Sequence, residues 1–180
     1  AGDYLKTTDK YTYATDVVSA GTDITTKTQT LAATSTSTIG YFGAGYTGII
    51  TAVTYKYTFG TDGVAAGTSL TQARSNPAAT GNTTLGYFCG GNAGTVVATT
   101  DIYTYSGDSV AAGTSLSVAR YYLAATGNSS YGAFIGGSAS GAAGQVYDVY
   151  VYATGSMVSG SNAAVERARH AAMSSLPGGF

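Results

Sequence analysis

An all-β fold of four repeated modules is what this chain predicts, on three observations. The phrase VAAGTSLTQARSNPAATGN at Val64–Asn82 returns as VAAGTSLSVARYYLAATGN at Val110–Asn128, a step of 46 residues in a chain of 180. A period of that size marks stacked supersecondary units, each too small to bury its own apolar face. Thr, Val, Tyr and Ile dominate between the glycines, and these stiff or aromatic side chains favour a pleated strand. Finally, Thr80-Gly81-Asn82-Thr83 and Thr126-Gly127-Asn128-Ser129 each separate two strand-like runs, which is the placement of a tight hairpin.

In the most fully written module, strands are expected through Ala73–Thr80, Leu85–Gly90, Val96–Tyr105 and near Val110–Leu116. The two-residue strand period puts Tyr103 and Tyr105 on one face. That aromatic pair recurs as Tyr11/Tyr13, Tyr57/Phe59 and Tyr150/Tyr152, and Gly86-Tyr87-Phe88 recurs as Gly40-Tyr41-Phe42 and Gly132-Ala133-Phe134. Four short strands per unit, repeated radially, describe a β-propeller. Its units begin near 1, 47, 93 and 139 within one domain, 1–180. In so small a ring the sheets diverge quickly from the axis, so the paired tyrosines are expected to fill the outer wedge. Gly90-Gly91 and Gly136-Gly137 are expected where the backbone packs too closely for a side chain. The fourth copy is distorted: Ala168-Arg169 stands for Ala73-Arg74 and Ala119-Arg120, three residues late. Ser161–Met173 is Ala-rich and read alone favours a helix, while the repeat register asks for a strand; both readings stay open. Read head to tail, Gly178-Gly179-Phe180 followed by Ala1-Gly2 mimics the interior Gly90-Gly91-Asn92-Ala93-Gly94. The expectation is a ring closed by pairing of N- and C-terminal strands, which leaves no open sheet edge.

These residues resemble the kelch repeat, in its degenerate bacterial and bacteriophage form. That unit carries a Gly-Gly pair, an aromatic, a second bulky residue and an Arg; Gly90-Gly91, Tyr103, Val110 and Arg120 keep the spacing, as do Tyr57, Val64 and Arg74. The resemblance covers essentially the whole chain. It departs where kelch usually has Trp, since Val64 and Val110 stand there, and the first copy has Thr28 in the Arg position and Ala44-Gly45 for the glycine pair. The resemblance implies that the repeat arginines Arg74, Arg120 and Arg169 lie on one face near the channel mouth.

Composition narrows the function. Charged residues make up 9% of the chain, against about 25% in an average protein, and the net charge is −1. Four Lys and four Arg form no run, so no nucleic-acid partner is expected. Gly or Thr interrupts every apolar stretch, so no membrane insertion is expected. The polar surface must come from Thr, Ser, Asn and Gly, which suits an extracellular, cell-surface or virion protein. Cys89 is alone and reads as a small buried hydrophobe.

Enzymatic machinery is hard to find, and the chain reads as a non-enzyme without cofactor or metal. His170 is the only histidine. Most acids recur with the period (Asp16, Asp62 and Asp108 in one loop; Asp9, Asp101 and Asp148 before the aromatic pair), which favours structural use such as closing a turn. Binding candidates are Arg74, Arg120 and Arg169, whose guanidiniums could grip an acidic peptide or a sugar carboxylate. The opposing reading is that each arginine ties neighbouring modules together. Tyr121 and Tyr122 join the candidates because they replace Ser75 and Asn76 in one copy only, and an exposed Tyr offers a stacking surface. Asn82-Thr83-Thr84 and Asn128-Ser129-Ser130 match the glycan-acceptor pattern but read as turns. The expected function is protein–protein contact by a non-catalytic structural or interaction propeller, with a carbohydrate-binding, lectin-like propeller as the rival. The partner is then a protein or a surface glycan, and assembly into a homo-oligomer or larger array stays open.

Overall fold

The computed structural model describes residues 4–139 and 141–172. Every regular element within them is a β-strand. An N-terminal hairpin comprises β1 (Thr8–Thr12) and β2 (Val17–Gly21). The first four-stranded sheet holds β3 (Ala32–Ser35), β4 (Ile39–Gly43), β5 (Thr54–Thr58) and β6 (Gly63–Gly67). The second holds β7 (Ala78–Gly81), β8 (Leu85–Cys89), β9 (Thr100–Thr104) and β10 (Ser109–Gly113), and the third β11 (Ala124–Gly127), β12 (Tyr131–Ile135), β13 (Tyr147–Val151) and β14 (Ser156–Ser159). All pairings are antiparallel between neighbours in the chain, and the register repeats: Gly40 faces Tyr57, Gly86 faces Tyr103, Gly132 faces Tyr150. The chain is thus all-β, in one two-stranded and three four-stranded antiparallel sheets, an architecture compatible with a propeller.

Strands are shorter than expected. The run from Ala73 becomes strand only at Ala78, because Asn76 takes a left-handed backbone, φ 54°. Neither a helix nor a strand forms over residues 161–172; the segment is irregular, with a single bridge from Arg167 to Gly144. Residue 173 and the expected closing strand around Gly178–Phe180 lie outside the described residues.

The sheets pack through their first strands, with β3 beside β7 and β7 beside β11. Farther out, tyrosines interleave. Tyr41 of β4 meets Tyr103 at 5.1 Å and Tyr105 at 4.4 Å between ring centroids, and Tyr87 of β8 meets Tyr150 and Tyr152, each at 4.6 Å. Tyr103 and Tyr105 therefore share a face, as the strand period requires. Each buried ring contributes roughly 2–3 kcal/mol by area, a large share in a core whose other members are mainly Ala, Leu and Phe. The glycine pairs sit where the backbone crowds. A Cβ on Gly90 (φ +66°) would lie 2.5 Å from the Arg120 carbonyl oxygen, and one on Gly136 (φ +62°) 2.5 Å from that of Arg167.

The linkers entering successive sheets form a ladder of their own. Asn76 donates its N–H to the Thr30 carbonyl (3.0 Å), Tyr122 to that of Asn76 (3.3 Å) and Arg169 to that of Tyr122 (2.9 Å). All four residues have left-handed backbones, with φ of 58°, 54°, 57° and 55° in chain order. That conformation is uncommon outside glycine, and for a β-branched residue such as Thr30 it is held only by its surroundings.

Candidate functional site

The repeat arginines serve between strands and sheets. Arg74 and Arg120 are 0% and 2% exposed. Arg74 Nη1 donates to Asp101 Oδ2 at 2.7 Å and its Nη2 to the Phe88 carbonyl at 2.9 Å. Arg120 Nη2 donates to Asp148 Oδ2 at 2.9 Å and to the Phe134 carbonyl at 3.0 Å. The acids are held in turn, Asp101 by the Thr71 hydroxyl at 2.5 Å and Asp148 by the Ser117 N–H at 3.2 Å. Burial lowers the pKa of Arg120, and the Asp148 carboxylate works against that shift. A buried guanidinium needs a counter-charge; the aspartate supplies it in each case, while Arg74 Nε and Arg120 Nε and Nη1 are buried without a hydrogen-bond partner. Buried to this degree, these two arginines have no face free for a ligand, which corrects their expected place at a channel mouth; each guanidinium ties the second and third strands of the sheet it enters.

The third repeat arginine is Arg167 rather than Arg169. The N–H groups of Gly45, Gly91 and Gly137 donate to the carbonyls of Arg74, Arg120 and Arg167 in turn. One residue is inserted between Gly137 and Gly141, relative to Gly91 and Gly94, so the copy runs one residue late instead of three. In the first copy both partners are missing. Thr28 precedes Tyr55 by the 27 residues that separate Arg74 from Asp101. Sequence reasoning listed Asp101 and Asp148 only as periodic acids; this joint loss of Arg and Asp was the available sign that they act as partners.

The second set of acids closes turns. Asp16, Asp62 and Asp108 have φ of 55°, 54° and 46°, and Gly155, φ 63°, takes the same place in the last sheet. The Tyr57 hydroxyl donates to Asp62, which also accepts Lys10 Nζ at 2.7 Å and the Thr22 N–H at 2.9 Å. Asp108 repeats this with Tyr103, Lys56 Nζ at 2.5 Å and the Thr68 N–H at 3.2 Å. The Lys10 ammonium first, then the Tyr57 hydroxyl and the Thr22 N–H, hold Asp62 well below the usual carboxylate range. Lys56 and then Tyr103 shift Asp108 the same way. Each such carboxylate bonds a tyrosine of its own hairpin and reaches the preceding sheet. The Asn82 and Asn128 side-chain oxygens likewise cap hairpins, Asn82 accepting the Thr84 and Leu85 N–H groups at 2.9 Å each.

What remains at the surface is a cluster where the repeat is broken. Tyr121 and Tyr122 lie with ring centroids 4.5 Å apart, and the Arg169 guanidinium carbon sits 4.2 Å over the Tyr122 ring. Both tyrosines are half-buried and Arg169 is exposed. The ladder through Thr30, Asn76, Tyr122 and Arg169 positions them. Three of the five expected binding residues thus come together, and Arg74 and Arg120 do not join them. Chemically the cluster offers aromatic faces and a guanidinium with donors to spare, suited to a planar or anionic group.

Elsewhere, burial pushes the Cys89 thiol up to about 12, and the Thr100 hydroxyl donates to its sulfur at 3.3 Å. Burial, with Arg167 nearby, lowers the pKa of His170. Among the described residues no three His, Cys, Asp or Glu side chains gather as metal ligands, and no helix is long and apolar enough to cross a membrane. No family model matches the chain, and no curated protein matches it.

Proposed function

We propose that the sheets are blades of a kelch-like propeller, closed by pairing of its N- and C-terminal strands, and that it works by non-catalytic contact on a virion or cell surface. The observation that carries this reading is the Tyr121–Tyr122–Arg169 cluster, the place where two linkers of one pattern depart from the repeat. Acids and arginines inside the array are spent on holding sheets together, whereas this cluster spends aromatic and cationic groups on the outside. Its partner is an acidic protein surface, with Arg169 as the anchor and the tyrosine pair as the flat support. The second reading, a glycan ligand, is favoured by those same ring faces, on which a sugar can stack.

An array carrying acidic peptides beside neutral and carboxylated glycans separates the two. Peptide binding lost in Arg169→Ala and Tyr122→Ala, with unchanged thermal unfolding, supports the protein-contact reading. Glycan binding lost in the same variants transfers the site to the lectin reading. Binding that survives both substitutions removes the cluster from either.

A further inference from the structure

The two ends of the sheet array carry matching halves of the ties that join its interior. Arg74–Asp101 and Arg120–Asp148 follow a fixed rule: the arginine entering a sheet pairs with the acid on that sheet's third strand. Continuing the rule past the third sheet leaves Arg167 with no acid among the described residues; its Nε only reaches back to the Val165 carbonyl at 3.3 Å. Running it backwards leaves Asp9 on β1, at the position of Asp101, exposed and without an ion pair among the described residues. A second rule agrees. Thr22 and Thr68 give their N–H groups to Asp62 and Asp108 of the following sheet; the third member, Thr114, meets Gly155 through its hydroxyl, the fourth is Ser161, exposed, and the acid without such a donor is Asp16, which accepts only the Tyr11 hydroxyl at 2.5 Å.

The shape of the hairpin agrees as well. Strands β5, β9 and β13 pair on both sides, whereas β1 pairs only with β2. Beside it lies a hollow of about 470 Å³ lined by Leu5, Asp9, Ile24, Thr30, Leu31 and Phe42. Ala171-Ala172, just after Arg169, repeats the Ala78-Ala79 and Ala124-Ala125 that open β7 and β11. From these matches we infer that Arg167 forms an ion pair with Asp9 of the same chain inside a shared blade, while Ser161 bonds Asp16. The N-terminal hairpin is then the outer half of the blade that Arg167 enters. Two opposite charges and one donor–acceptor pair make the two faces complementary, and the ladder that already brings Arg169 to Tyr122 leads the chain toward Thr30. The inference rests on the closed-ring reading above and adds the residues that would lock it.

Two measurements test it together. In urea unfolding, Asp9→Arg and Arg167→Asp each lower the folding equilibrium constant at least tenfold, and the double exchange restores most of it. In a Cys89→Ala background, Asp16→Cys with Ser161→Cys and a short bis-maleimide gives a cross-linked monomer by mass spectrometry. Additive single effects beside a monomeric cross-link discard the Arg167–Asp9 pair but keep the closed ring. A cross-linked dimer overturns the same-chain assignment in favour of a second copy. No cross-link of either kind sinks the ring and the pair with it.

Discussion

The hairpin β1–β2 and the outer halves of the three larger sheets are written in the same phrase, yet they live in different surroundings. Tyr11 of β1 is 49% exposed, while its counterparts Tyr57, Tyr103 and Tyr150 are 3%, 0% and 1% exposed. The same tyrosine, on the same kind of strand and before the same kind of tight turn, is surface in one place and core in three. Burial here is conferred by neighbouring strands: a short amphipathic hairpin has nothing to bury itself against until an inner pair covers it.

That contrast can be broken most severely at the interior ties. Asp148→Ala strands the buried Arg120 charge and should cost about 3–5 kcal/mol of unfolding free energy, whereas replacing both, Arg120→Met with Asp148→Leu, should recover most of it. Denaturant titration of the three variants decides; equal losses in single and double variants would contradict the tie. Next comes Gly86→Ala, whose Cβ would lie 2.7 Å from Thr34 Cγ2 across the sheet boundary and 2.8 Å from the Tyr105 hydroxyl just past the end of β9. Overpacking of this kind costs about 1–3 kcal/mol. Gly40→Ala, whose Cβ would meet Phe59 at 3.3 Å and Phe42 at 3.5 Å, should cost less because neither contact comes from another sheet. The difference in thermal midpoint between the two measures what the sheet boundary contributes.

Removing one hydroxyl sharpens the comparison further. Tyr103→Phe takes a donor from Asp108 and an acceptor from the Thr68 N–H, at a cost of about 1.5 kcal/mol. Tyr11→Phe removes only the exposed bond to Asp16 and should stay within about 0.5 kcal/mol. The smallest effect is in acid. Asp62 has its folded pKa depressed by Lys10, Tyr57 and Thr22, so its contribution is present above the unfolded value near 4 and drains away as the pH falls toward the folded one. Unfolding curves between neutral pH and pH 3 should therefore converge for the native chain and Asp62→Asn, the variant losing less on acidification.

Much of the fold was legible because strand alternation, hairpin turns and crowded glycines are local. Tyr103 with Tyr105 and Gly90-Gly91 stood where short-range geometry asks for such residues. The arginines were harder. A guanidinium drawn from sequence looks like a surface group, and only the arrival of Asp101 from 27 residues away makes burial of Arg74 tolerable. Arg169 was misplaced because Arg167-Ala168-Arg169 offers two candidates, and the insertion that chooses between them lies far upstream, between Gly137 and Gly141. The cluster survived in part, since Tyr121 and Tyr122 were singled out by breaking the period, a signal that needs no coordinates.

What could be known from the residues alone was the β character of the modules, their 46-residue step and the positions where the pattern fails. Those follow from side-chain shape and backbone freedom within a few residues. Which charges end up inside, which tyrosines stay wet and which arginine remains available were settled only when sheet met sheet. Desolvation of a charge depends on every group that surrounds it, and those groups come from distant turns of the chain.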